Sequence, residues 1–176
     1  MRYVEALEEY QPGSLPAVFL AGGISGCPDW QREAVGLLRD EPVVLLNPRR
    51  AAFAASDPAA APQQIDWEHR HLRLAEAVLF WFPWETLCPI ALYELGAWSM
   101  TRKPLFVGVH PDYPRRQDVE IQTRLARPDV PVVYGVTDLA EQVRRWLRAG
   151  PKQVASGATE CDAGNRGATG PPALDE

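Results

Sequence analysis

The chain reads as an α/β protein: a parallel sheet with helices on both faces. Two observations predict this. Short apolar runs alternate five times with segments of helical character. The runs are apolar throughout rather than at every second residue, as in strands covered on both sides.

The elements follow in order. Ala17 to Ala21 is a continuous apolar run closed by Gly22-Gly23, a buried strand and then a tight turn. From Asp29 to Asp40, Trp30, Ala34, Leu37 and Leu38 fall on one helical stripe. Val43 to Leu46 is a second buried strand, ended by Asn47-Pro48. Arg49 to Pro62 is an Ala-rich connection broken by Pro58 and Pro62, and Gln64 to Glu76 has helical propensity. Ala77 to Phe82 is the third strand. Pro89 to Met100 is a helix with proline at its first position, where the missing N–H costs nothing. Pro104 to Val109 is the fourth strand, Asp118 to Ala126 a helix, Val130 to Tyr134 the fifth strand and Thr137 to Arg148 an amphipathic closing helix. Right-handed crossovers and five strands suit a flavodoxin-like, doubly wound sheet of order 2-1-3-4-5.

Residues 1–16 are expected to form an arm, with a short helix as the other reading, stopped at Pro12-Gly13. Residues 17–149 hold the single core. Residues 150–176 have no aromatic side chain and only Val154 and Leu174 as large apolar ones, so a disordered tail is expected.

Composition removes several classes of function. The 176 residues carry 18 Lys and Arg against 23 Asp and Glu, a net charge of −5, which argues against a broad nucleic-acid-binding face. No apolar run reaches the roughly 18–20 residues of a membrane span, and Met1 to Tyr10 lacks the order of a secretory signal. Cys27, Cys88 and Cys161 are scattered, as in a reduced, cytoplasmic protein without a structural zinc. His69 and His71, two apart on a helix, make a poor metal pair.

In sheets of this kind ligands bind beyond the carboxyl ends of the strands, where strand order reverses. That rule directs attention to the loops after strands one and three. Gly22-Gly23-Ile24-Ser25-Gly26 lets backbone approach a ligand closely, or is an ordinary turn. It is neither a dinucleotide fingerprint nor a Walker loop. A flavin would want more hydroxyls there than Ser25, so no cofactor is expected. Asn47-Pro48-Arg49-Arg50 offers guanidiniums for a phosphate or carboxylate, or a solvated loop. Asp66, in Asp66-Trp67-Glu68-His69, lies early in its helix, where the dipole favours a carboxylate. Trp84 is either a stacking platform or core, and Glu85 adds an acid beside it. Cys88 has no basic partner fixed nearby that would make it a nucleophile.

Glu94 is the most informative residue. Its helical neighbours Ile90, Ala91, Ala97 and Trp98 are all apolar, so its face should be buried. A buried carboxylate shifts its pKa or finds partners, and such acids in crevices are functional candidates. The other reading is a side chain that snorkels out.

The ordered set Phe19-Leu20-Ala21-Gly22-Gly23, Asn47-Pro48-Arg49, Asp66 and Tyr93-Glu94-Leu95-Gly96 resembles the nucleoside 2-deoxyribosyltransferase family, in its shorter, divergent branch. The likeness runs from about Ala17 to Leu147. It implies a cytoplasmic enzyme that cleaves the N-glycosidic bond of a deoxynucleoside and transfers the sugar to another base. By position Glu94 resembles the nucleophile and Asp66 the acid/base group. The Gly22-Gly23 loop resembles part of the pocket wall, and Phe19, Ser25, Asn47, Arg49, Trp67, Trp84 and Glu85 are the further candidate substrate contacts. The partners implied are a nucleoside or nucleotide and a free nucleobase, with no nucleic-acid polymer and no membrane. The resemblance also implies a homo-oligomer. Phe19 stands where the family commonly has tyrosine, and Glu85 is the nearest acid to a family aspartate that falls near Cys88. Hydrolysis of the same bond, and a non-catalytic nucleotide-binding module on the same fold, are the competing readings.

Overall fold

A computed structural model describes residues 1–51 and 59–150. The expected tail, apart from Gly150, and the middle of the Ala-rich connection lie outside the described residues. Among these, six strands form one parallel sheet of order β1-β3-β2-β4-β5-β6. They are β1 (Arg2–Glu5), β2 (Ala17–Gly22), β3 (Val44–Asn47), β4 (Ala77–Phe82), β5 (Leu105–Val109) and β6 (Val132–Val133). The helices are α1 (Trp30–Leu38), α2 (Ala60–Leu74), α3 (Pro89–Ser99), α4 (Arg116–Ala126) and α5 (Val136–Arg148).

The five expected strands keep their expected order, and the open α/β sheet is flavodoxin-like. One element corrects the reading. The N-terminal residues make a sixth strand, with Arg2 opposite Val44 and Glu5 opposite Asn47. Four residues with charges at both ends carry little strand signal. Pairing to β3 and burial of Val4 supply the stabilisation that local propensity does not.

The four inner strands bury both faces because alternate residues serve different layers. Phe19, Ala21, Leu46, Phe80 and Phe82 pack with Trp67 of α2, Leu95 of α3 and Val119 of α4. Val18, Leu20, Leu45, Leu79 and Trp81 pack with Trp30 and Leu38 of α1 and Leu139 and Val143 of α5. The connection from β1 to β2 crosses the first of these layers without a helix. It buries Tyr10, and the carbonyl of Glu8 accepts the indole N–H of Trp67 at 2.9 Å.

α2 starts at Ala60, four residues before the expected Gln64. Pro62 lies in its first turn, where N–H groups have no intrahelical acceptor, so the proline does not break the helix.

Candidate active site

The backbone around the first βα turn is shaped by what a side chain would strike. Gly22 has φ of +150°, and a Cβ there would collide with the carbonyl oxygen of Trp81. At Gly23 a Cβ would stand 2.6 Å from Pro83 Cγ. Only glycine lets this loop lie against the end of β4.

The loop is then pinned. The Gly23 carbonyl accepts Trp30 Nε1 at 2.8 Å and Gln31 Nε2 at 3.1 Å. Gln31 is fully buried, and its Oε1 accepts Arg49 Nε at 3.0 Å. Arg49 Nη2 donates to the carbonyl of Pro28 at 3.1 Å, and its Nε lies 3.6 Å from Asp29. Asn47 Oδ1 accepts the Arg49 backbone N–H, and Asn47 Nδ2 donates to the Tyr3 hydroxyl at 2.9 Å. Asn47 and Arg49 thus fasten the loop from behind.

In front of it lies a cavity of about 260 Å³, at the switch between β2 and β4. Phe19, the Gly22 to Ser25 turn, Pro48, Glu68, Cys88 and Glu94 are among its walls. Of the expected site residues, the structure brings together Phe19, Gly22, Gly23, Ser25 and Glu94 here. A second cavity of about 430 Å³ between α2 and α3 shares Glu68, Ile90 and Glu94 with the first.

Two carboxylates therefore occupy one crevice. Loss of water pushes Glu94 up to about 7, with the charge of Glu68 a second cause. Burial also raises Glu68, opposed by a hydrogen bond from Gln64 Nε2 at 2.7 Å and by the charge of Arg50. The charge on Glu68 therefore bears on the protonation of Glu94, although loss of water is the larger cause.

Asp66 is not in this crevice. Its side chain is 69% exposed and pairs with Arg70 at 3.1 Å. Two residues on a helix are turned about 200° apart, so Asp66 and Glu68 face opposite sides. Sequence reasoning missed Glu68. The signal was there in Trp67, His71 and Leu72, which mark the inward face of α2, next to Glu68.

Trp67 is core: 1% exposed, stacked on His71 with ring centroids 3.9 Å apart. Trp84 and Glu85 line a separate cavity of about 210 Å³ with Trp30, Trp81 and His110. Glu94 stands on a half-open face, because Ile90 is 64% exposed and Tyr93 77%. Among the described residues, no group of three or more His, Cys, Asp or Glu could hold a metal ion, and no helix is long and apolar enough to cross a membrane.

A family model described as nucleoside 2-deoxyribosyltransferase like matches residues 15–113. The matched stretch runs from the residues before β2 to Tyr113 and contains every residue named above as a wall of the 260 Å³ cavity. Comparison with curated proteins gives no match. With more than half its length matched, the chain belongs to the nucleoside 2-deoxyribosyltransferase-like family.

Proposed function

We propose that the protein cleaves the N-glycosidic bond of a deoxynucleoside and passes the sugar to a second base through a covalent glycosyl-Glu94 intermediate. The observation that carries this reading is the pairing of Glu94 with Glu68 in one desolvated crevice at the topological switch point. Displacement at an anomeric carbon by a carboxylate needs a second group to serve the departing base. Glu68 takes that acid/base role here, in place of Asp66, which faces away.

The steps follow from the pair. Desolvation first, and the charge of Glu68 second, hold a proton on Glu94. For Glu94 to attack C1′, that proton passes to Glu68, which delivers it to the departing base. The glycosyl ester then meets either a second base, which gives transfer, or water, which gives hydrolysis.

The substrate we infer is an unphosphorylated nucleoside. Among the described residues, those lining the crevice include two acids and no lysine or arginine; Arg49 is committed to the loop behind, and the charge of Arg50 is set against Glu68. A 5′-phosphate would face like charge.

The apolar, exposed side chains of Ile65, Ile90 and Tyr93 beside the crevice support a second subunit covering this face, as in the family resemblance.

The test is incubation with a deoxynucleoside and a foreign base, followed by product chromatography. A new nucleoside is expected; free base and sugar alone point to hydrolysis. Saturable binding without product would leave a non-catalytic module. Rapid quenching and peptide mapping should place the deoxyribosyl group on Glu94; the group on Glu68 would reverse the two roles.

A further inference from the structure

Cys27 and Cys88 arise from loops after different strands and meet at Gly23. A methyl group on Gly23 would stand 3.0 Å from Cys27 Sγ and 3.1 Å from Cys88 Sγ. The sulfurs therefore flank one point, separated by no more than those two lengths end to end. Both residues lie outside strands and helices, Cys27 in the turn before α1 and Cys88 just before α3. Loop backbone can adjust where packed elements cannot. Cys88 is a wall of the crevice, and Cys27 lies behind its glycine turn.

We propose that Cys27 and Cys88 form an oxidation site, joined by a peroxide into a disulfide across Gly23 that distorts the crevice and stops transfer. The missing Cβ of Gly23 leaves the space in which the sulfurs approach.

The two thiols have different parts. Cys27 is partly exposed, and Arg49 Nη2 lies 3.5 Å from its sulfur. Burial raises the Cys27 thiol overall, and the guanidinium offsets part of that rise, whereas nothing among the described residues offsets the burial of Cys88. Cys88 is buried, pushed up to about 12, and its S–H donates to the Thr86 carbonyl at 3.3 Å. Cys27 thus reacts first. Its thiolate attacks one peroxide oxygen, the O–O bond breaks, hydroxide leaves, and Cys27 becomes a sulfenic acid. Cys88 sulfur then attacks the Cys27 sulfur. The S–S bond forms, the S–O bond breaks, and the Cys88 proton leaves with the hydroxyl as water. Two thiols lose two electrons, and the peroxide ends as two waters.

The bond itself is independent of the proposed reaction; only the loss of transfer rests on that reading. The experiment uses the full chain with Cys161→Ser, treated with hydrogen peroxide, alkylated and digested. The expected result is a monomer lighter by two hydrogens, a peptide joining Cys27 to Cys88, and loss of transfer that dithiothreitol restores. A further Cys27→Ser change should abolish both the link and the loss. Full alkylation of both thiols after peroxide, or oxygen added to Cys27 without a link, overturns the site. A link that leaves transfer untouched overturns the control. If untreated protein transfers no sugar, the functional reading fails, while the mass result still decides the thiol pair.

Discussion

The role proposed for Glu94 combines two demands that conflict in a folded protein: burial, which favours the neutral acid, and attack on carbon, which needs the anion. Its pKa near 7 places the conflict within the working range. Glu94→Gln should lower transfer by about 10³-fold or more while sparing nucleoside binding, read by single-turnover kinetics and calorimetry. Undiminished turnover in this variant refutes the nucleophile. The pH dependence has a definite sign. The one-proton form of the pair is lost as Glu94 ionises, so kcat/KM should fall as pH rises through about 7. Stability follows the same direction. The folded state holds the Glu94 proton to about 7, whereas the unfolded state releases it near 4.5, so the folded state loses stability between those values as pH rises. Glu94→Gln should therefore flatten the fall in Tm from pH 5 to pH 8; an unchanged slope would count against the shift. Four apolar neighbours made Glu94 legible in the sequence, although Ile90 proves more exposed than a buried face implies. Glu68 was not legible by the same route. Placing the helix start at Gln64 made Asp66 look like a first-turn acid, whereas it is the seventh residue of α2.

α2 presents Glu68, and its C-terminal end is held from another strand's approach. Lys103 Nζ donates to the carbonyls of Leu72, Arg73 and Ala75, at 2.6, 3.1 and 2.7 Å, and lies 4.3 Å from the Trp98 ring centroid. These carbonyls have no partner within the helix, so one ammonium satisfies what the fold leaves open. Lys103→Met should cost about 1–3 kcal/mol, measured by urea denaturation. No loss of stability would show that water replaces the ammonium. At the start of α1, Asp29 caps the helix by accepting the Arg32 N–H at 3.0 Å. Asp29→Ala should cost about 1 kcal/mol in the same assay. The interior strands were legible because both-face burial writes an uninterrupted apolar run. β1 was not, since it pairs on one side only and exposes Arg2 and Tyr3. β6 shrank to two residues for a related reason: it is the other edge and its residues are half-buried.

Across the whole molecule, the proposed chemistry lies on one rim of the sheet, and we propose that a second copy covers the exposed Ile65, Ile90 and Tyr93 beside it. Tyr93→Glu should shift the mass measured by light scattering toward the monomer, because a charge would have to be buried at the contact. An unchanged mass would remove Tyr93 from any interface. The family match begins at residue 15, yet the protein's own cohesion begins earlier. β1 extends the sheet, Tyr10 fills the layer above it, and Glu8 supplies the acceptor for the Trp67 indole one residue from Glu68. A chain trimmed to start at Leu15 would keep every wall of the 260 Å³ cavity and still lose the brace behind Glu68. Its defect would show as weakened turnover in an otherwise soluble protein, a warning against cutting at the edge of a homology.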